Sequence, residues 1–110
     1  MTNTNSGLSS TSGNMLYWVI YDIGDNRLRS KIAVCCKNYG LVRVQKSAFL
    51  GFLTPNRADM LAIEVKEAIG KNKTDAVFII PTCKQCYKDK KILGQLDEDL
   101  VQEQEYRLVD

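Results

Sequence analysis

Three short apolar runs limit how this chain can fold: LYWVIYDI at residues 16–23, LVRVQKSAFLGFL at 41–53 and DAVFIIP at 75–81. The first and last are rich in aromatic and β-branched residues and too short for buried helices, so both read as strands, the first of them central. The middle run is too long for one strand. Its centre, QKSA, together with Gly51 predicts a bend or hairpin, hence two strands. Between the runs the apolar period changes. Leu28, Ile32, Cys35 and Tyr39 recur at helical spacing after Asn26, which can cap, and before Gly40, which supplies a stop. Thr54 and Pro55 form a cap and first-turn pair ahead of Ala58, Leu61, Val65 and Ala68, a stripe that ends at Gly70.

The resulting order, βαββαβ, is that of an α+β, ferredoxin-like sandwich with both helices on one face of an antiparallel sheet. The other face needs a cover. No third helix is expected to supply it, so a second copy of the sheet is, making the chain a homodimer. Short apolar pieces at 91–94 and 105–109 are expected to add strands at the C-terminal edge. One domain over 15–94 is then flanked by a disordered lead-in over 1–14, made almost wholly of Thr, Asn, Ser and Gly, and by an acidic segment over 95–110 carrying a short terminal strand.

Charge is divided along the chain. Residues 15–94 carry 14 basic and 7 acidic side chains, whereas 95–110 carry one basic and six acidic. A basic body suits a polyanion, and an acidic tail suits a basic surface. No apolar run approaches the roughly 20 residues that span a bilayer, so no membrane is expected and the chain is placed in the cytoplasm. Histidine is absent, which removes the commonest general base and excludes triads built on it. Hydrolysis by such a chain must lean on metal-bound water.

Three fragments, YDIGDNRLRSKIA, NYGLVRVQKSAFLGFLTP and FIIPTCKQC, occur in an order and spacing that resemble the CRISPR-associated "Cas two" family, and the terminal EYRLV is similar to the last strand of many members. The resemblance spans about residues 15–94. It implies a ferredoxin-like homodimer of the spacer-acquisition module of antiviral defence, which bridges the CRISPR integrase and holds duplex DNA. It also implies a metal-dependent endonuclease, a hydrolase acting on single-stranded RNA or duplex DNA. A toxin-type endoribonuclease of the virulence-associated protein D family, which shares the dimeric fold, is the alternative.

Asp22 ends the first strand and by position matches the family's catalytic and metal-binding aspartate; paired across a dimer axis it would hold Mg²⁺ or Mn²⁺, hard cations that suit carboxylates. Asp25 either caps the helix or supports that site. Arg27, Arg29, Arg43 and Lys46 form a basic stripe suited to phosphates without base-specific geometry. Ser47 and Phe49 match the family's SxF element, Phe49 as packing, and Tyr21 is read as packing on the opposite strand face. Cys83 and Cys86 form a CxxC, half of a zinc site, with Cys35 and Cys36 adjacent elsewhere. The CxxC is read as a pair of structural thiols, with a metal site or a local disulfide as alternatives.

Overall fold

The strand on which the sheet is built is β1 (Met15–Asp22), which pairs antiparallel with β3 (Ala48–Leu53) on one side and β4 (Ala76–Thr82) on the other. In this computed structural model, which describes residues 13–71 and 74–109, β2 (Val42–Gln45) completes a sheet of order β2-β3-β1-β4. Two helices, α1 (Asn26–Asn38) and α2 (Pro55–Ile69), supply the crossovers. The βαββαβ order and the mixed α+β class follow the sequence. The lead-in expected over 1–14 falls, for its first twelve positions, outside the described residues.

Residue alternation along β1 divides the molecule into two layers. Tyr17, Val19, Tyr21 and Ile23 meet Ile32, Cys36, Leu61 and Val65 beneath α1 and α2, with Phe49 and Leu53 from β3. Each fully buried aliphatic or aromatic side chain there contributes roughly 1.5–3 kcal/mol. The helices begin where local chemistry allows. Thr54 accepts from the Arg57 amide at 3.2 Å, and Pro55 needs no amide partner in the first turn. The cap of α1 is Asp25 rather than Asn26, because its carboxylate reaches the Leu28 amide at 2.9 Å.

QKSA does form the β2–β3 turn, but Gly51 does not bend the chain. It lies inside β3, where a Cβ would stand 2.7 Å from Leu41 Cδ2 and 3.2 Å from Leu41 Cα. Close approach of the β2-leading segment, not backbone freedom, requires glycine there. The edge position of β4 explains why it tolerates Pro81.

The C-terminal region departs from expectation. Residues 105–109, expected as a strand, belong to α4 (Glu98–Val109), and 91–94 form neither strand nor helix. Asp97 accepts from the Leu100 amide at 3.2 Å, and Glu98 and Asp99 sit in the first turn, where the helix dipole favours carboxylates. The spacing of Leu96, Leu100 and Val101 then turns an apolar stripe toward the sheet. A five-residue helix, α3 (Lys84–Lys88), precedes it and buries Tyr87 completely.

The second sheet face is therefore partly covered from within the chain, contrary to the expectation that no further helix would do so. Leu16, Val44, Leu50, Tyr87 and Val101 form a second cluster, flanked by Trp18, Val42, Phe52 and Leu100. The Tyr87 hydroxyl donates to the Val101 carbonyl at 2.7 Å, and its ring meets Trp18 at 6.0 Å between centroids. Cover stops at the β1–β4 half. There Ile20, Phe78 and Ile80 remain exposed side by side, since Ile20 pairs with Phe78 and Trp18 with Ile80.

Replacing Gly51 by alanine should drive a methyl group into Leu41 and lower stability by about 1–3 kcal/mol, read as a reduced urea midpoint with an unchanged slope. An unchanged midpoint would mean that the Leu41 segment moves aside freely.

Candidate nucleic-acid and metal site

Because side chains alternate along β1, Asp22 follows Leu16, Trp18 and Ile20 onto the second face, at the strand end opposite Ala76 of β4. It is exposed, and its carboxylate makes no hydrogen bond or ion pair among the described residues. The loop that follows is clamped. The Gly24 amide donates to Asp75 Oδ1 at 3.2 Å, Arg29 Nη1 donates to the Ile23 carbonyl at 3.0 Å, and Asp25 is occupied as the α1 cap. Of the two readings of Asp25, the structure shows the cap. Arg29 is a half-buried loop brace, whereas Arg27 stands exposed on the first turn of α1.

The β2–β3 turn reaches the same end of the sheet, because the Tyr21 amide donates to the Ser47 carbonyl at 3.0 Å. Lys46 projects from that turn and is exposed. The Tyr21 hydroxyl, buried on the helix side, donates to the Lys46 carbonyl at 3.1 Å and accepts from Arg43 Nη2 at 3.3 Å. Arg43 also lies 5.2 Å over the ring of Phe49, which is fully buried as core. Asp22, Arg27 and Lys46 thus gather at one sheet end, while Arg43 occupies the helix-side face of the same hairpin.

Two residues matter here that sequence reading passed over. Tyr21, taken as packing, also fixes the turn and Arg43. Asp75 holds the loop that follows Asp22, and its Oδ2 is buried without a hydrogen-bond partner among the described residues. Only the pairing of β4 with β1 reveals Asp75; Tyr21 carried a signal in the polar end of a buried aromatic, which needs a partner.

The donor set suits a hard cation in type, because free carboxylate oxygens are the ligands such ions take. Among the described residues no three Cys, Asp or Glu side chains of one chain converge as a metal-binding group. A cation held at Asp22 would therefore need ligands from beyond these side chains.

The four cysteines are free thiols. Burial pushes Cys36 up to about 12 and raises Cys35 as well. The CxxC behaves asymmetrically. Cys83 caps α3 and its Sγ accepts the Cys86 amide at 3.3 Å, which lowers its pKa, while the hydrogen bond with Cys83 raises that of Cys86. The thiolate is the reactive form, so iodoacetamide should modify Cys83 ahead of Cys86, with a pH midpoint below that of an ordinary cysteine, as peptide mass spectrometry would show. Equal rates at the two positions would contradict the asymmetry.

Tyr21→Phe should keep the packing but free Arg43 and the Lys46 carbonyl, lowering stability by about 1 kcal/mol in urea unfolding. An unchanged midpoint would show that the hydroxyl braces nothing.

Comparison with known proteins bears on the family and the fold. The family model described as CRISPR associated protein Cas2 matches residues 15–90. A protein of Archaeoglobus fulgidus named CRISPR-associated endoribonuclease Cas2 1 is 38% identical over 89 residues, covering 81% of this chain and 94% of its own. A Thermoproteus tenax protein named CRISPR-associated endonuclease Cas1/endonuclease Cas2 fusion is 40% identical over 73 residues, which are 66% of this chain and 28% of the fusion. The crystal structure of Streptococcus pyogenes Cas2 superposes with a TM-score of 0.61 at 26% identity, covering 73% of this chain and all of that one.

Proposed function

Because the chain belongs to the CRISPR associated protein Cas2 family, we propose that it is an adaptation protein whose homodimer binds duplex DNA beside the CRISPR integrase and carries a metal-dependent endonuclease site at Asp22. The observation that carries this reading is the position of Asp22. Its exposed carboxylate, without a partner among the described residues, stands on the same sheet face as the uncovered Ile20, Phe78 and Ile80. A second copy stacked on that patch would bury it and bring two β1 ends to one symmetry axis. The single-chain site is then completed by the same residue of the second copy.

Mg²⁺ or Mn²⁺ held by the two Asp22 carboxylates would neutralise charge on phosphoryl oxygens and lower the pKa of water, the function that a chain without histidine has to find elsewhere. The chain's own cations do the positioning. Arg27 on the first turn of α1 and Lys46 on the β2–β3 turn flank the carboxylate and hold phosphate oxygens on either side of it. Arg43, braced by Tyr21, extends the track along the hairpin. None presents a fixed fork to a base edge, so binding follows the backbone and its salt dependence. The integrase as partner is supported by the Thermoproteus tenax relative, in whose name Cas1 and Cas2 are one fused chain.

The test is cleavage of labelled duplex DNA and single-stranded RNA with Mg²⁺, Mn²⁺ or EDTA, beside Asp22→Ala purified identically. Metal-dependent cutting should fall by roughly 100-fold or more in the variant while duplex binding persists. Equal cutting by both proteins would remove Asp22 from the chemistry. Retained binding without cutting by either would leave DNA bridging as the activity.

A further inference from the structure

The second sheet face has two claimants. Over its β2–β3 half lie α3 and α4, and the remaining half exposes Ile20, Phe78 and Ile80 without a boundary between them, because Trp18 belongs to both. A helix on a sheet occupies a layer about 10 Å thick, and a sheet stacked face to face occupies the same 10 Å. Both cannot cover one half of the face.

The docking of α4 is incomplete. Its inward side offers Leu100 and Val101 but then Gln104, 2% exposed, whose Oε1 has no hydrogen-bond partner among the described residues. An unpartnered buried amide opposes docking. The segment over 90–97 that leads into α4 contains no helix or strand, turns at Gly94 with φ +107°, and leaves Leu93 95% exposed. Between this strap and the sheet remains an apolar cleft of about 260 Å³ lined by Trp18, Ile20, Val44, Ala48 and Leu96. Besides the packing of Leu96, Leu100 and Val101, three polar contacts hold α4 and its lead-in: the Tyr87 hydroxyl on the Val101 carbonyl, the Asp97 amide on the Val44 carbonyl at 2.6 Å, and Lys90 to Glu105 at 3.4 Å.

We propose that α4 is a displaceable cover, and that a second copy of this chain takes its place on the β2–β3 half of the face when the homodimer forms. The inference rests on the homodimer reading above and adds to it a competition within the chain. The uncovered patch alone offers few side chains, whereas stable interfaces bury about 800 Å² per partner. Release of α4 adds Val44 of β2 and Leu50 of β3 to the surface a second copy can bury. The free chain is kept soluble by its own tail, and assembly proceeds only as fast as that tail leaves.

Sedimentation equilibrium on the full chain, with Gln104→Leu, Val101→Asp and Ile20→Asp, tests this together with amide exchange across 98–109. Gln104→Leu replaces the unpartnered amide by an apolar side chain and should weaken dimerisation about tenfold; Val101→Asp loosens α4 and should tighten it about tenfold. Amides of α4 should lose protection on dimerisation. Ile20→Asp should abolish the dimer. Dimerisation of equal strength in wild type, Gln104→Leu and Val101→Asp, with α4 protected alike in monomer and dimer, would overturn the inference while leaving the homodimer standing. Monomers at every concentration, with Val101→Asp monomeric too, would overturn both.

Discussion

Pairing of β1 on both edges is the constraint from which the rest of the molecule follows. A strand held by β3 and β4 cannot slip by one residue without sending Val19 and Tyr21 to the outer face and Ile20 and Asp22 into the helix core. A buried, unpaired carboxylate beneath α1 would be costly enough to forbid that register. The period of two therefore does more than build a core: it selects the face on which the one free acid of the strand emerges, and the same alternation aims Tyr21 inward to brace the hairpin.

Rigidity at that strand end comes from backbone groups tied by side chains. Ile23 O, Gly24 N and Lys46 O are held by Arg29, Asp75 and Tyr21, each from a different element. Loops otherwise tend to be the mobile parts of a fold. Here two of them are fixed around Asp22 while Arg27 and Lys46 keep their charged ends in solvent. Fixed backbone with free cations would suit a phosphate chain of variable sequence, since lysine and arginine stems could adjust to each phosphate while the carboxylate stayed in place.

The strands and helices of the βαββαβ unit were legible because each carries a local signal that tertiary packing reinforces: Thr54-Pro55 opens a helix, Gly70 ends it, and the QKSA turn separates two strands. The C-terminal region was not legible. EYRLV in isolation reads as a strand, and only the preceding Asp97 cap, the acidic first turn and the Leu96, Leu100, Val101 spacing make it helical. Asp22 and the basic positions were named from the sequence, the cations as one stripe, but the structure divides that stripe. Arg29 and Arg43 look equivalent to Arg27 along the chain, yet one braces a loop and the other stacks on Phe49. Asp75 could not be found from spacing at all, because its partner lies 51 residues away.

Net charge is a poor guide to what such a surface binds. The chain as a whole is +2, yet its acidic residues concentrate in the tail, and α4 lays several of them over the β2–β3 half of the second face. Fields are screened over about 8 Å at physiological salt, less than the thickness of one packed layer. A phosphate placed at the β1 end would therefore respond to the cations beside it, Arg27 and Lys46, and hardly to carboxylates carried on the far half of the sheet. The same screening leaves Lys90 as the described partner that α4 draws from the basic body by direct ion pairing. A partly exposed pair of that kind contributes about 0–1 kcal/mol. Electrostatics thus does not fasten the tail firmly, and how well α4 keeps its half of the second face depends on apolar area and on the cost of the buried Gln104 amide.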